Sequence, residues 1–308
     1  MKTIKNITSK LLAILVMILT VYYVLTGEID LEEVEKSTIQ PRKVNVQETI
    51  KETDTNLKVY FIDVGQADCI LIEKNGEYAL IDAGNNRDGK KLVNYFNELG
   101  IVEFKYVIGT HPHEDHIGGM DNIINSFNIK HYLMPDVITT TPTFEDVLTS
   151  LESKKIKYEV PKINSTFNLA DATFTTIFID KNEDDLNNSS IVLKLTYKNI
   201  SYLFMADAEK QVEQQILDKD IKSTVLKVGH HGTKYATTNE FLNKVQPEYS
   251  IISVGKNNDY GLPKQETLNR IRNKSSKIYR TDTRGTIIST TDGEGIIFET
   301  VKTDTNGD

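Results

Sequence analysis

The chain has one cysteine, Cys69, among 308 residues. That excludes an internal disulfide and any cluster of thiolate ligands, so a metal site here must be built from histidine, aspartate and glutamate. Positive charge is also scarce: 36 Lys plus Arg face 44 Asp plus Glu, a formal charge of −8. This balance argues against sequence-independent attraction of a basic surface to a nucleic-acid backbone, although nucleic acid reached through a metal stays compatible with it. No internal repeat is visible. The rest is ordinary globular material, 39% hydrophobic, and a chain of about 300 residues buries enough apolar surface to fold without covalent staples.

The amino end differs from this background. Lys2, Lys5 and Lys10 precede an uncharged run from Leu11 to Gly27 whose apolar heart is LLAILVMILTVYYVL. Residues 1–27 are therefore expected to form an export signal or a membrane anchor, and the lack of a small-x-small exit favours an uncleaved anchor. The lysines hold that end in the cytoplasm by the positive-inside bias, which places everything after Glu28 outside. Removing these three lysines lowers the charge of the remainder from −8 to −11. Residues 28–56 are charged, lack apolar periodicity and read as a stalk or linker. The globular part is expected over 57–302, with 303–308 as a tail.

Within it, LKVYFIDV, DCILIE and EYALIDAG are short β-rich runs separated by Gly65-Gln66-Ala67 and Asn75-Gly76, which predicts consecutive strands. Leu92, Val93, Tyr95, Phe96 and Leu99 recur at helical spacing before Gly100. Strand and helix then alternate. From Ala172 to Met205 the pattern turns to strands, the last two joined at Lys198-Asn199 in a predicted hairpin. Alternation then resumes to the carboxyl end. Two β-rich blocks with interspersed helices predict an α/β or α+β sandwich of two sheets covered by helices.

The segment richest in chemistry is Thr110-His111-Pro112-His113-Glu114-Asp115-His116-Ile117-Gly118-Gly119, which holds three of the chain's six histidines. Neutral imidazoles and a carboxylate suit zinc or another divalent transition metal, and a hydrophobic strand just before them can aim them. His111 and His113 are placed to converge on one ion across the Pro112 turn, with Asp115 and His116 serving a second. The plainer reading, a polar turn with incidental histidines capping a helix, fits this density poorly. His230 and His231 form a second cluster after the strand STVLKV. His131, in KHYLMP, has no such partner and reads as a surface or core residue.

HPHEDHIGG resembles the His-x-His-x-Asp-His signature of the metallo-β-lactamase superfamily. FIDVGQADCILIE, LIDAG, NNSSIVLKL, YLFMAD, LKVGHHGTKYATT and NNDYGLP, in this order, are similar to the hydrolase domain found at the C-terminus of the ComEC-type competence DNA-uptake channel and in free-standing relatives. The resemblance spans about residues 57–300 and implies an αββα sandwich with a metal site at one edge. It implies His111 and His113 as ligands of a first ion, Asp115 and His116 as ligands of a second, and Asp207 as the carboxylate bridging both. Asp207 would otherwise read as a helix N-cap. Asp82 matches the acid that orients the histidine cluster from behind. Of the His230-His231 pair, His231 is favoured as ligand of the second ion and His230 as outer or acid group. Asp115 and His230 are the candidate catalytic residues. Lys227, Lys234, Thr237 and Thr238 are weaker candidates for holding phosphate.

The chain departs from the pattern in two places that matter. Asn187-Asn188-Ser189-Ser190 stands where the superfamily has another ligand histidine, and Leu262 where the subfamily has a histidine. A leucine neither donates a proton nor binds phosphate. Ala206 and Ala67 replace usual glycines. The expected function is a metal-dependent hydrolase at the cell surface, a phosphodiesterase or nuclease of the competence-related type using a hydroxide on one or two divalent ions, zinc first and manganese second. The alternatives are hydrolysis of another ester or amide, such as a wall-polymer phosphodiester, a lactone or a β-lactam, and a non-catalytic metal-binding surface module. The expected partners are the hydrolysable substrate, DNA among the candidates, and the membrane through residues 1–27; no protein partner is expected.

Overall fold

A computed structural model describes residues 56–181 and 184–302. The expectations for the anchor, for nearly all of the stalk and for the tail lie outside the described residues. No helix among the described residues is long and apolar enough to cross a membrane.

Alternating apolar residues build the first strands. β1 (Leu57–Phe61), β2 (Cys69–Lys74) and β3 (Glu77–Ala83) pair antiparallel as a meander, with Phe61 opposite Ile70 and Leu71 opposite Leu80. β4 (Glu103–Ile108) and β5 (Asn128–Leu133) then add in parallel, followed by a two-residue β6 (Tyr158–Glu159). The second sheet begins with β7 (Thr166–Leu169), β8 (Ala172–Phe178), β9 (Val192–Tyr197) and β10 (Ile200–Phe204), all antiparallel. The β9–β10 hairpin closes at Lys198-Asn199 as expected, with Lys198 at φ 51°. Parallel strands β11 (Val225–Lys227), β12 (Tyr249–Ile252) and β13 (Lys277–Arg280) complete it. β14 (Thr286–Thr291) and β15 (Ile296–Val301) return to the first sheet, whose order is β15-β14-β1-β2-β3-β4-β5-β6. The second runs β13-β12-β11-β10-β9-β8-β7.

The period of two sends one set of side chains from each sheet into a shared core: Val59, Phe61, Ile70, Ile72 and Ile81 from the first sheet, Phe174, Leu193, Leu195 and Phe204 from the second. The opposite face of the first sheet is covered by α1 (Gly89–Glu98), α2 (Glu114–Ile117), α3 (Met120–Ser126) and α4 (Pro142–Lys154). Leu92 and Phe96 of α1, four apart and hence on one helix face, are buried there. α4 starts on Thr141, whose hydroxyl accepts the Phe144 amide, with Pro142 in the first turn. The second sheet is covered by α5 (Lys210–Gln215), α6 (Asn239–Val245) and α7 (Gln265–Arg272) through Val212, Phe241, Leu242, Leu268 and Ile271. The layers therefore run helices, sheet, sheet, helices, the expected mixed sandwich. A short α8 (Thr281–Arg284) links β13 to β14.

Strand direction decides where chemistry can sit. β3, β4 and β5 run parallel, as do β10, β11 and β12, so their carboxyl ends each open on one edge. Asp82 at the end of β3, the histidine motif after β4, Asp207 after β10 and His230-His231 after β11 are all delivered at such ends.

Candidate metal centre

The histidine motif is held by what lies behind it. Asp82 is buried, and its two oxygens accept the Thr110 amide (2.9 Å) and the Thr110 hydroxyl (2.8 Å). Its Oδ2 also lies 2.7 Å from His116 Nδ1. With the Nδ1 proton shared with Asp82, His116 Nε2 turns toward Asp207 Oδ1 at 3.3 Å and Asp115 Oδ2 at 3.8 Å. The Gly118-Gly119 step is required by close approach: a Cβ on Gly118 would collide with the backbone at Asn85 and Asn86, and one on Gly119 with the Ala83 carbonyl.

The second cluster comes in from the other sheet. Gly229–Gly232 forms one tight turn in which His230 and His231 both hold left-handed backbone, φ 45° and 51°. His231 Nδ1 donates to the Ser253 carbonyl (2.9 Å), so Nε2 faces Asp115 Oδ2 at 3.2 Å and Asp207 Oδ1 at 3.6 Å. His230 turns the other way. Its Nδ1 pairs with Glu209 Oε1 (2.9 Å), and its Nε2 stands 3.6 Å from Asp207 Oδ2. The fold thus separates the two adjacent histidines: His231 is buried among the carboxylates, while His230 is half-buried and borders solvent.

Asp115, His116, Asp207 and His231 each offer a donor atom, and these atoms lie within 4.8 Å of one another. His111 and His113 form a two-nitrogen pair beside them, His111 Nε2 to His113 Nδ1 at 3.0 Å, with the His111 ring centroid 4.1 Å from that of His116. The segment standing in for the usual histidine is found there: Ser190 Oγ lies 3.4 Å from His111 Nδ1 and accepts the Asp207 amide at 3.2 Å, and the Asn187 side-chain oxygen is buried without a hydrogen-bond partner.

Charge shows what the group lacks. Burial alone would raise the Asp207 and Asp115 carboxyls, but the neighbouring His116 and His231 hold both below the usual carboxylate range. Burial would likewise lower His116 and His231, yet facing carboxylates, Asp207 first, push both up. Burial pushes His111 well below its ordinary value, with His116 adding to the effect, and lowers His113. The carboxylates are thus held charged chiefly by facing imidazolium, while His116 Nε2 and Asp207 Oδ1 are buried without hydrogen-bond partners. A dication satisfies both atoms and leaves the histidines neutral, so the nitrogen and oxygen donors fit a divalent metal.

The weaker phosphate-binding candidates fare differently. Lys227 is buried, its ammonium 2.8 Å from Asp68, and is not free for a substrate. Thr237 is also buried. Its amide donates to Glu213 and its carbonyl accepts from Arg270 Nε (2.8 Å), so the chain turns it inward. Lys234 is exposed, its ammonium over the Tyr235 ring. His131 pairs with Glu159 (2.7 Å) and stacks on Tyr106 beyond the donor group. Leu262 precedes Pro263, which packs on the turn at Gly232, and the Lys264 amide donates to the Gly232 carbonyl (2.9 Å). The structure adds residues that sequence reasoning left aside: Asp68 behind His231, Glu209 behind His230 and Ser253 beneath His231. Asp68 carried one signal, its place just before a strand at the edge that also bears Asp82.

Comparison with known proteins agrees with this geometry. The family model described as the metallo-beta-lactamase superfamily matches residues 62–256. ComE operon protein 3 of Bacillus subtilis is 31% identical over 252 residues, which cover 75% of this chain and 32% of that protein. Competence protein ComA of Neisseria gonorrhoeae is 25% identical over 244 residues, covering 78% and 33%. The chain thus spans about a third of the length of these curated relatives. Among solved structures, the metallo-beta-lactamase fold protein YhfI of Bacillus subtilis superposes with a TM-score of 0.54 at 10% identity, covering 76% of this chain and all of that one. CmlA, a diiron beta-hydroxylase from Streptomyces venezuelae, gives 0.52 at 12% identity over 76% and 54%; at such identities the likeness is one of fold. With the family model spanning most of the globular part and the donor group at the strand ends, the chain belongs to the metallo-beta-lactamase superfamily and carries residues that fit a divalent metal.

Proposed function

We propose that this protein is a metal-dependent hydrolase that cleaves phosphodiesters outside the cell, with DNA as the leading substrate and zinc or manganese as the metal. The observation that carries the reading is the four-donor group of Asp115, His116, Asp207 and His231, with His111 and His113 alongside, in a chain one of whose curated relatives is named a competence protein. Bound divalent ions supply Lewis-acid chemistry, lowering the pKa of a water and offsetting negative charge that develops on phosphate. The chain's own groups do the rest. Asp82 and the Ser253 carbonyl fix the rings of His116 and His231. Glu209 sets the His230 ring so that its Nε2 faces Asp207 at the solvent border, where it can hold a proton for a leaving group. Leu262 supplies no second donor.

The test is turnover by the purified full-length chain, in detergent and loaded with zinc or manganese, on a generic phosphodiester and on single-stranded DNA. Metal-dependent cleavage that chelator abolishes is the expected result. Cleavage of lactones or β-lactams instead would move the activity to another ester or amide, and metal binding without any turnover would favour the surface module. The location rests on Lys2, Lys5 and Lys10 before the apolar run from Leu11. Protease added to intact cells should degrade the protein; protection until lysis would place it inside.

A further inference from the structure

Behind His231 lies an ion pair that neither stability nor substrate binding explains. Asp68 and Lys227 are both buried, Asp68 Oδ2 to Lys227 Nζ at 2.8 Å. Lys227 has one further partner, the Val228 carbonyl at 3.1 Å. Asp68 Oδ1 has no hydrogen bond and points at His231 Nδ1, 3.5 Å away. A buried pair gains little over an apolar pair of the same shape, because desolvation consumes most of the attraction, and one left with a bare oxygen gains less. An apolar pair could not, however, place an anion behind the Nδ1 of a ligand histidine.

The backbone of Asp68 is tied to the same centre. Its amide donates to the Asp115 carbonyl at 3.0 Å, and its carbonyl accepts the Gly84 amide at 2.9 Å, two residues after Asp82. One residue thus joins the loop before β2, the end of β3, the histidine motif and, through its side chain, β11 and its turn.

We propose that Asp68 is a positioning residue for metal binding: its carboxylate, neutralised by Lys227, holds the His231 ring between itself and Ser253 so that Nε2 stays aimed at Asp115 and Asp207. This rests on the metal-centre reading above. Lys227 is the countercharge that makes a buried anion tolerable there, which also accounts for its absence from the substrate side.

A double-mutant cycle separates positioning from fold support. Asp68→Asn strands a buried ammonium and should lower Tm by roughly 6–20 °C. Asp68→Asn with Lys227→Met removes both charges and should recover most of that loss. If Asp68 positions His231, the double variant still binds zinc about 10- to 100-fold more weakly than the parent by calorimetry, and its cobalt-substituted absorption spectrum differs from the parent's. Parent-like zinc affinity and cobalt spectrum in the double variant would overturn the proposal and leave the pair a fold element. A parent that binds neither zinc nor cobalt would instead overturn the metal centre itself. If the double variant stays as unstable as Asp68→Asn, Lys227→Met with Asp68 intact gives the second reading: zinc affinity lowered less than in Asp68→Asn supports positioning by the carboxylate, and equal loss refutes it.

Discussion

Replacing Asp82 by asparagine preserves shape and changes one atom, which makes it a sharp test of how the centre is held. Asparagine tolerates the left-handed backbone that Asp82 adopts at φ 59°, so backbone strain is not the variable. Its amide must place one oxygen and one NH2 where two acceptors stood. The oxygen is needed by the Thr110 amide, which donates to Oδ1. The NH2 then faces His116 Nδ1, 2.7 Å from Oδ2 in the parent. A donor there forces Nδ1 to accept, moves the ring proton to Nε2 and aims an N–H at Asp207 Oδ1, 3.3 Å away. His116 is then no longer a ligand. Losing such an orienting group weakens metal binding about 10- to 100-fold. At a free metal concentration of about 100 times the parent's Kd, binding stabilises the parent by about 2.7 kcal/mol; a Kd about 30-fold weaker leaves about 0.9 kcal/mol. For a domain of this size the metal-induced rise in Tm should shrink from about 5–11 °C to about 2–4 °C. Thermal scans with and without zinc measure it directly. An undiminished rise in Asp82→Asn would refute the argument that Asp82 fixes the His116 tautomer.

Other outcomes follow from the same geometry. Asp207→Ala should strip more metal than His131→Ala in elemental analysis, because Asp207 faces three histidines whereas His131 pairs with Glu159; equal losses would remove Asp207 from the centre. Leu262→His should raise metal-dependent phosphodiesterase activity, by at most the roughly 10²–10⁴ that a general acid contributes, and His113→Ala should abolish it. A fast parent that Leu262→His only slows would mean a site adapted to another substrate. Glu213→Ala leaves the Thr237 and Thr238 amides without their carboxylate acceptor, a loss of about 1–3 kcal/mol from the buried Thr237 donor, with a smaller addition from the part-buried Thr238 amide. A denaturation midpoint that does not move would show that water or a shifted loop replaces Glu213.

Much of the fold was legible because it is written in local periods. Phe61, Ile70 and Ile81 alternate with outward residues, and Leu92 and Phe96 repeat by four, so strands and helices could be placed before any contact was known. β6 and β7 escaped because Tyr158-Glu159 and Thr166–Leu169 are too short and too polar to show a period. The same division runs through the centre. His111, His113, Asp115 and His116 are neighbours in sequence, and their spacing announces them. Asp68 meets Lys227 and Ser253 meets His231 only through strand order, which no local pattern carries. Thr237 shows the converse: it is close to the histidines along the chain, but its φ of 59° and the Glu213 carboxylate turn it inward.

The left-handed residues around the centre bear on how the protein opens. Asp82, Ala206, His230 and His231, none of them glycine, have φ of 59°, 47°, 45° and 51°, each held against a local preference of roughly 1–3 kcal/mol. The sheet cores carry no such opposing term, so protection against amide hydrogen exchange should be uneven across a single domain. The strand-end turns would exchange through small local openings while β2, β3 and β9 exchange only on global unfolding. A bound dication, by fastening the histidine motif, the Asp207 turn and the His231 turn to one point, would close that gap and make the edge exchange as slowly as the interior.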